Sequence, residues 1–442
     1  MTSPELIGPS VAHFFERRAS LFDPPPPPPS LMSIAAQPSE DVPRTFSAFH
    51  ARTSALETLE GVDLSGKTFF ITGTTSGIGT ETTRALALKG AHVVMANRNI
   101  LLSEELKKKI LAEKADAKID LITCDLSSMQ SVQAAANEFL EKHWPLHGLI
   151  LNAGVFGPPT PTTFDGFEAT FGVNHLAQYL LLTMLLPILR QTESSRVVFV
   201  SSTSSSHTGL KASQSLEEKL DTLTCKNGAS TNSYRLYAYS KMCNVLTAFK
   251  LAREEEKNGI SVYALHPGSM IATDISRSYG FLSKILTTVT KPFTKNLEQG
   301  AATTVYCASS PELDNYSGKF WVSCKEDEKS LDVNIARDEE LQDALWARSE
   351  SLQLSSRLDI AQALHLNKFF RNDAKLLHRS GILVGRRSWV DTTHRDAKYP
   401  FLDGYIVFSA LAHFIGNRTE REAHVKRCLT REGAVPDGYL VE

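Results

Sequence analysis

Tyr237 and Lys241 stand four residues apart in Tyr237-Ala238-Tyr239-Ser240-Lys241. On a helix this spacing puts a phenol and an ammonium one turn apart on the same face. A tyrosine at its ordinary pKa of about 10 exchanges protons poorly at neutral pH. A fixed positive neighbour favours the phenolate and draws the group toward the range useful to a general acid or base. The spacing alone is common, and an exposed tyrosine packed on a lysine stem shares it. Its meaning depends on what else the chain carries.

A second feature with chemical meaning is the loop Gly73-Thr74-Thr75-Ser76-Gly77-Ile78-Gly79, which follows the β-prone run Thr68 to Thr72. Glycines at 73, 77 and 79 let a backbone turn tightly between a strand and a helix and approach a pyrophosphate, whose charge meets the helix N-terminus. Thr75, Ser76 and Ile78 belong to the same cofactor loop. The spacing is G-x-x-x-G-x-G rather than the common G-x-G-x-x-G fingerprint. Its place between strand and helix is what favours nucleotide binding over a plain tight turn. The next strand ends Met95-Ala96-Asn97-Arg98-Asn99, with an arginine and no carboxylate. A carboxylate there would bind a ribose 2′-hydroxyl, whereas Arg98 suits a 2′-phosphate. NADP is therefore expected, with NAD the less favoured cofactor.

Positioning these groups requires a sheet. Strands are expected at 68–72, 92–96, 119–123, 149–151, 196–200, 260–265 and 320–323. Helices are expected at 81–89, 103–113, 127–142, 167–189, around Tyr237, at 297–309 and at 338–351. Alternation of this kind predicts an α/β chain, a Rossmann-type doubly wound parallel sheet with helices on both faces, plus N- and C-terminal extensions. The expected division is a Pro-rich, mostly disordered tail over 1–60, the catalytic domain over 61–351, and an extension over 352–442. Pro24 to Pro29 is polyproline II, either a ligand for an SH3- or WW-type partner or, more simply, a stiff linker. The extension carries 14 Lys and Arg against 10 Asp and Glu, with no repeat or metal spacing.

Composition excludes several classes. Apolar residues make up 42% and charged residues 22%, as in soluble globular proteins. A formal charge of −2 argues against nucleic-acid binding. The six cysteines show no C-x-x-C pair and no metal site is expected, which fits a reducing, cytoplasmic setting. No uninterrupted run of about 18 apolar residues predicts a transmembrane segment. The N-terminus lacks the apolar core of a secretory signal.

Taken together the two signals resemble the short-chain dehydrogenase/reductase family, and further motifs agree over about residues 60–350. Asn152-Ala153-Gly154 matches the motif that shapes the cofactor pocket. Asp125 in Cys124-Asp125-Leu126 matches the residue beside adenine, with Leu126 next to it. Asn174 matches the tetrad asparagine, Ser202 the serine at the end of the fifth strand, and Tyr237 with Lys241 the Y-x-x-x-K pair. Pro267-Gly268 matches the turn near the nicotinamide. Within the family, Gly172 to Leu176, Lys291 to Lys295 and Gln299 to Cys307 are similar to the WW domain-containing oxidoreductases and the retinol dehydrogenases. No tryptophan precedes Lys67, so a WW module is not expected, nor is the membrane anchor many retinol dehydrogenases carry.

The resemblance implies hydride transfer between NADP(H) and an alcohol or carbonyl carbon of a small apolar substrate such as a retinoid, steroid or lipid aldehyde. Tyr237 would be the general acid or base. Lys241 would lower its pKa and bind the nicotinamide ribose, so both also count among the cofactor-binding residues. Ser202, or Ser201 beside it, would hold the substrate oxygen, and Asn174 would bend its helix and hold a water. His207 and His266 are expected to be structural. Residues 205–233 and 270–296 would shape the substrate pocket. A homodimer is left open by the family. The competing reading is a non-catalytic interaction or nucleotide-sensing protein on the same fold, against which the intact tetrad argues.

Overall fold

The computed structural model describes residue 46 and residues 48–226, 232–268 and 295–354. The Pro24–Pro29 run, most of the expected pocket segment 270–296, and residues 355–442 lie outside the described residues. Eight strands form one sheet in the order β3-β2-β1-β4-β5-β6-β7-β8. They are β1 (Thr68–Thr72), β2 (His92–Asn97), β3 (Lys118–Thr123), β4 (Gly148–Leu151), β5 (Arg196–Val200), β6 (Ser261–His266), β7 (Lys319–Val322) and β8 (Lys325–Glu326). All neighbours are parallel except β7 and β8. The order reverses between β1 and β4, the switch point where open α/β sheets hold ligands. This is the Rossmann-type doubly wound sheet that the alternation implied.

Strand residues divide by twos between two cores, as the pleat requires. Phe70, Val94, Val197, Phe199, Val262 and Phe320 face one side. Phe69, Ile71, Val93, Val198, Tyr263 and Trp321 face the other. The second side is covered by α1 (Gly77–Leu88), α2 (Ile100–Glu113) and, later in the chain, the helix Leu297–Ser309. The first side is covered by α3 (Met129–Glu141), α4 (Ala177–Gln191), a short α5 (Leu216–Leu223) and α6 (Ser233–Glu255). After α6 come α7 (Leu297–Ser309), α8 (Val333–Ala336) and a helical segment at 339–354. Side-chain caps set the starts. Asn99 accepts from the Leu102 amide, Ser128 from Ser131, Asn232 from Arg235, and Asn296 from Gln299 in a reciprocal capping box.

Three features differ from expectation. The folded unit begins before residue 60. Ala55 and Leu59 are fully buried, the Ala55 amide donates to the Glu298 carbonyl at 2.9 Å, and Phe49 meets Tyr306 edge-on at 5.4 Å. These apolar residues are spaced too irregularly to show a period, so the sequence reads as tail. Helix α5 was not anticipated, although Ser215 and Glu218 form a complete capping box at its start. At the other end the last described helix runs to at least residue 354 rather than 351. It packs over α4 and α6 through Trp346 against Tyr179, ring centroids 4.9 Å apart, and through Arg253 to Glu339 and Asp343, both at 2.7 Å.

The helical run Ala169–Gln191 is long and apolar enough to cross a membrane by length and composition. In this fold it is a core helix, with Leu180, Leu181, Leu182, Leu185 and Leu189 buried against the sheet. It opens on the Glu168 carboxylate, which accepts from the Thr170 and Phe171 amides, and passes through a π turn at Gly172–Leu176.

Candidate active site

The glycine loop leaves β1 at the switch point. Gly73 has φ +71°, and a Cβ there would lie 2.8 Å from Ala153 Cα. A Cβ on Gly79 would lie 2.2 Å from the Gly73 carbonyl oxygen. Side chains at either position would collide with backbone, so these glycines permit the loop to fold tightly on itself and on the β4 end. Gly77 starts α1 with φ +61°, and Ser76 ahead of it makes no side-chain cap. The loop crest at Thr75 and Ser76 is half-buried to exposed, whereas Ile78 is buried as an anchor.

Two asparagines hold this loop from opposite sides. Asn152 donates through Nδ2 to the Thr72 and Gly73 carbonyls at 2.8 and 2.9 Å. Its Oδ1 is buried with no hydrogen-bond partner among the described residues. Asn97 accepts from the Thr74 amide at 2.7 Å and donates to Thr74 Oγ1 and Ser103 Oγ at 2.7 and 2.9 Å. Its role escaped sequence reading because nothing local distinguishes an asparagine at a strand end. Arg98, the next residue, is exposed. Asp125 accepts from the Ser127 amide at 2.9 Å and from Ser127 Oγ at 2.7 Å, which fixes its half-buried carboxylate. The Leu126 side chain is buried in the core, so its backbone is the part able to meet a ligand. Pro267 and Gly268 close β6, and Gly268, at φ +124°, lies under the Lys295 stem, 2.6 Å from where its Cβ would be. The crowded glycines and the unpartnered Asn152 oxygen fit a dinucleotide laid across the strand ends.

The tetrad residues come together beside that cradle. Lys241 is 2% exposed and its Nζ donates to the Val200 carbonyl at 2.8 Å. Burial pulls its pKa down to about 8. The ammonium lies 5.4 Å from the centroid of the Tyr237 ring. Gly154 makes room for it, since a Cβ there would lie 3.2 Å from Nζ and 3.5 Å from Asn174 Oδ1. Asn174 lies in the π turn, fully buried. Its Oδ1 accepts from the Val155 amide at 2.7 Å, and its Nδ2 donates to the Val155 carbonyl at 2.9 Å and to Ser240 Oγ at 3.0 Å. Ser240 in turn donates to the Tyr237 carbonyl at 2.8 Å. Ser240 was not singled out by sequence, yet it joins the asparagine to the tyrosine turn.

The two serines separate by geometry. Ser201 Oγ donates to the Lys241 carbonyl at 2.8 Å and is committed to the fold. Ser202 caps the following turn, accepting from the Ser204 amide at 3.1 Å, and hydrogen-bonds the Tyr237 side chain. One electrostatic expectation is corrected. Burial dominates at Tyr237 and pushes the phenol up to about 12, with the Ser202 hydrogen bond pulling the other way. Lys241, its Nζ bonded to the Val200 carbonyl and 5.4 Å from the ring centroid, does not outweigh that burial. His266, at the end of β6, is pulled down to about 4 by burial and by Lys295, and His207 pairs with Tyr234 on the surface. Among the described residues no group of acids, histidines and cysteines could hold a metal ion.

Residues 67–214 match the family model for short chain dehydrogenases. The WW domain-containing oxidoreductase of Gallus gallus is 40% identical over 312 residues, covering 70% of this chain and 73% of that protein. The same-named protein of Homo sapiens is 39% identical over 312 residues, with the same coverage of 70% and 73%. Retinol dehydrogenase 12 of Mus musculus is 35% identical over 285 residues, covering 64% of this chain and 85% of that protein. The chain belongs to the short-chain dehydrogenase family.

Proposed function

We propose that this short-chain dehydrogenase transfers hydride between NADP(H) and an alcohol or carbonyl carbon of an apolar substrate, of the retinoid, steroid or lipid aldehyde class. The observation that carries the reading is the convergence of Tyr237, Ser202, Lys241 and Asn174 beside a glycine cradle at the switch point. The name of the mouse relative supports the retinoid end of the substrate range.

The residues divide the work. Gly73, Thr75, Ser76, Gly77, Ile78 and Gly79 offer backbone to the pyrophosphate. Asn152, Ala153, Gly154, Asp125, Leu126, Pro267 and Gly268 border the rest of the dinucleotide. Arg98, exposed past the end of β2, would favour NADP over NAD by offering a charge-assisted bond to the 2′-phosphate. When bound, the nicotinamide supplies or takes up the hydride. Tyr237 Oη gives its proton to the carbonyl oxygen in reduction and removes it in oxidation. Ser202 Oγ holds that oxygen in line. Lys241, at a pKa of about 8, keeps its charge at neutral pH close to the phenol. Asn174 fixes Val155 and Ser240, and through them the loop and helix that carry the site. A cytoplasmic setting is part of the same reading, supported by free thiols at the five described cysteines.

The test is a fluorescence titration of the purified chain with NADPH and NADH, followed by turnover assays on retinoids, steroids and aldehydes. Tight NADPH binding with turnover of one class supports the proposal. Tight binding without turnover of any class favours a nucleotide sensor, and absence of binding to either cofactor would sink the glycine-loop reading. Tyr237→Phe should abolish turnover and leave the NADPH titration unchanged.

A further inference from the structure

We propose that Phe156 is a positioning residue for Tyr237, fixing the phenol ring and shutting water away from one side of it. The inference rests on the acid–base role of Tyr237 given above. Phe156 is half-buried on the loop that follows β4, and its ring meets the Tyr237 ring at a centroid distance of 5.4 Å and an angle of 63°. That is the tilted edge-on arrangement aromatic pairs favour. The contact is held on both flanks. The residue before it, Val155, is gripped through its amide and its carbonyl by Asn174 at 2.7 and 2.9 Å. The residue after it, Gly157, has φ +51°, and a Cβ there would lie 3.2 Å from Ser233 Oγ. The loop therefore rests on the first turn of α6, the helix that carries Tyr237. Asn174 and Tyr237 are thereby linked twice, once through Ser240 and once through Val155 and Phe156.

The consequence is electrostatic. A phenolate is stabilised by water, and an aromatic wall removes water from the phenol's surroundings. Among the described residues the polar groups facing Tyr237 are Lys241 from its own helix and Ser202 from the end of β5, and no carboxylate among them shifts it. Burial is the largest influence on this phenol, and Phe156 supplies part of that burial. Removing the ring should admit water, favour the phenolate and lower the midpoint at which Tyr237 ionises.

The experiment uses the full chain with 3-fluorotyrosine at position 237, titrated by fluorine NMR, in the wild-type background and with Phe156→Ala or Phe156→Leu. The expected result is a midpoint lowered by on the order of one unit in Phe156→Ala and held near the wild-type value in Phe156→Leu, which keeps the bulk. An unchanged midpoint in a folded Phe156→Ala protein would overturn the proposal, as would an equal drop in both variants. In the reductive direction the alkaline limb of kcat should move to lower pH by the same amount in Phe156→Ala. The NMR arm needs no turnover. If the chain reduces nothing, the oxidoreductase reading fails while the contact between Phe156 and Tyr237 is still measured.

Discussion

Asn97→Ala tests how the cofactor loop is held. Asn97 is 3% exposed and its partner Thr74 is fully buried. The substitution removes hydrogen bonds to the Thr74 amide, Thr74 Oγ1 and Ser103 Oγ in one step. Each is worth roughly 1 kcal/mol net, and the Thr74 amide, left buried without an acceptor, adds a share of the roughly 1–3 kcal/mol such groups cost. The sum is about 3 to 4 kcal/mol. In a domain of this size that corresponds to a fall in Tm of roughly 6 to 15 °C. Because Thr74 also accepts from Thr80 Oγ1 at 3.0 Å, the loop loses its hold on one side only. Cofactor affinity should therefore weaken together with stability. Urea unfolding followed by far-ultraviolet circular dichroism measures the first, and NADPH fluorescence the second. Asn97→Asp, which keeps an acceptor for the Thr74 amide but cannot donate, should fall between wild type and alanine. Stability within about 0.5 kcal/mol of wild type in Asn97→Ala would refute the view that this side chain braces the loop.

Other perturbations separate neighbouring roles. Ser202→Ala should lower kcat by about a hundredfold or more with only the small loss of Tm expected from a lost turn cap, whereas Ser201→Ala should lower Tm while sparing most of kcat, as steady-state kinetics and melting would show. Arg98→Ala should weaken NADPH binding about tenfold and leave NADH binding unaltered; an equal effect on both cofactors would contradict the 2′-phosphate assignment. His175 is 1% exposed, and burial pulls its pKa down from 6.5 to about 4. Its folded-state pKa lies below its unfolded value, so the unfolded chain binds the extra proton first, and stability should fall as pH drops from about 6.5 toward 4. His175→Gln, which retains a partner for Ser349 Oγ, should flatten that part of the stability profile measured by urea unfolding.

Much of this was legible in the sequence for identifiable reasons. The strands are short apolar runs bounded by glycine and polar residues, so β5 and α7 could be placed to the residue. The tetrad was named through the family resemblance, which short motifs such as the Tyr237–Lys241 helix turn and the strand end at Ser202 allowed to be matched residue by residue. What escaped was tertiary. Asn97 and Ser240 act through partners distant in the chain, Thr74 and Asn174, and no periodicity announces such bonds. Phe46, Phe49 and Leu59 belong to the second core, but their irregular spacing reads as tail. The direction of the Tyr237 shift also depended on structure. Sequence supplies the neighbouring ammonium, whereas the burial that pushes the phenol up comes from tertiary packing, in which the Phe156 ring takes part.

Hydride transfer itself can be followed with NADPH carrying deuterium at the transferable position of the nicotinamide, incubated with the chain and a panel of apolar aldehydes and ketones. Mass spectrometry of the products should show one deuterium on the carbinol carbon of a single substrate class, and none with Tyr237→Phe. Saturating NADPH binding with no label transferred to any carbonyl in the panel would contradict the oxidoreductase reading.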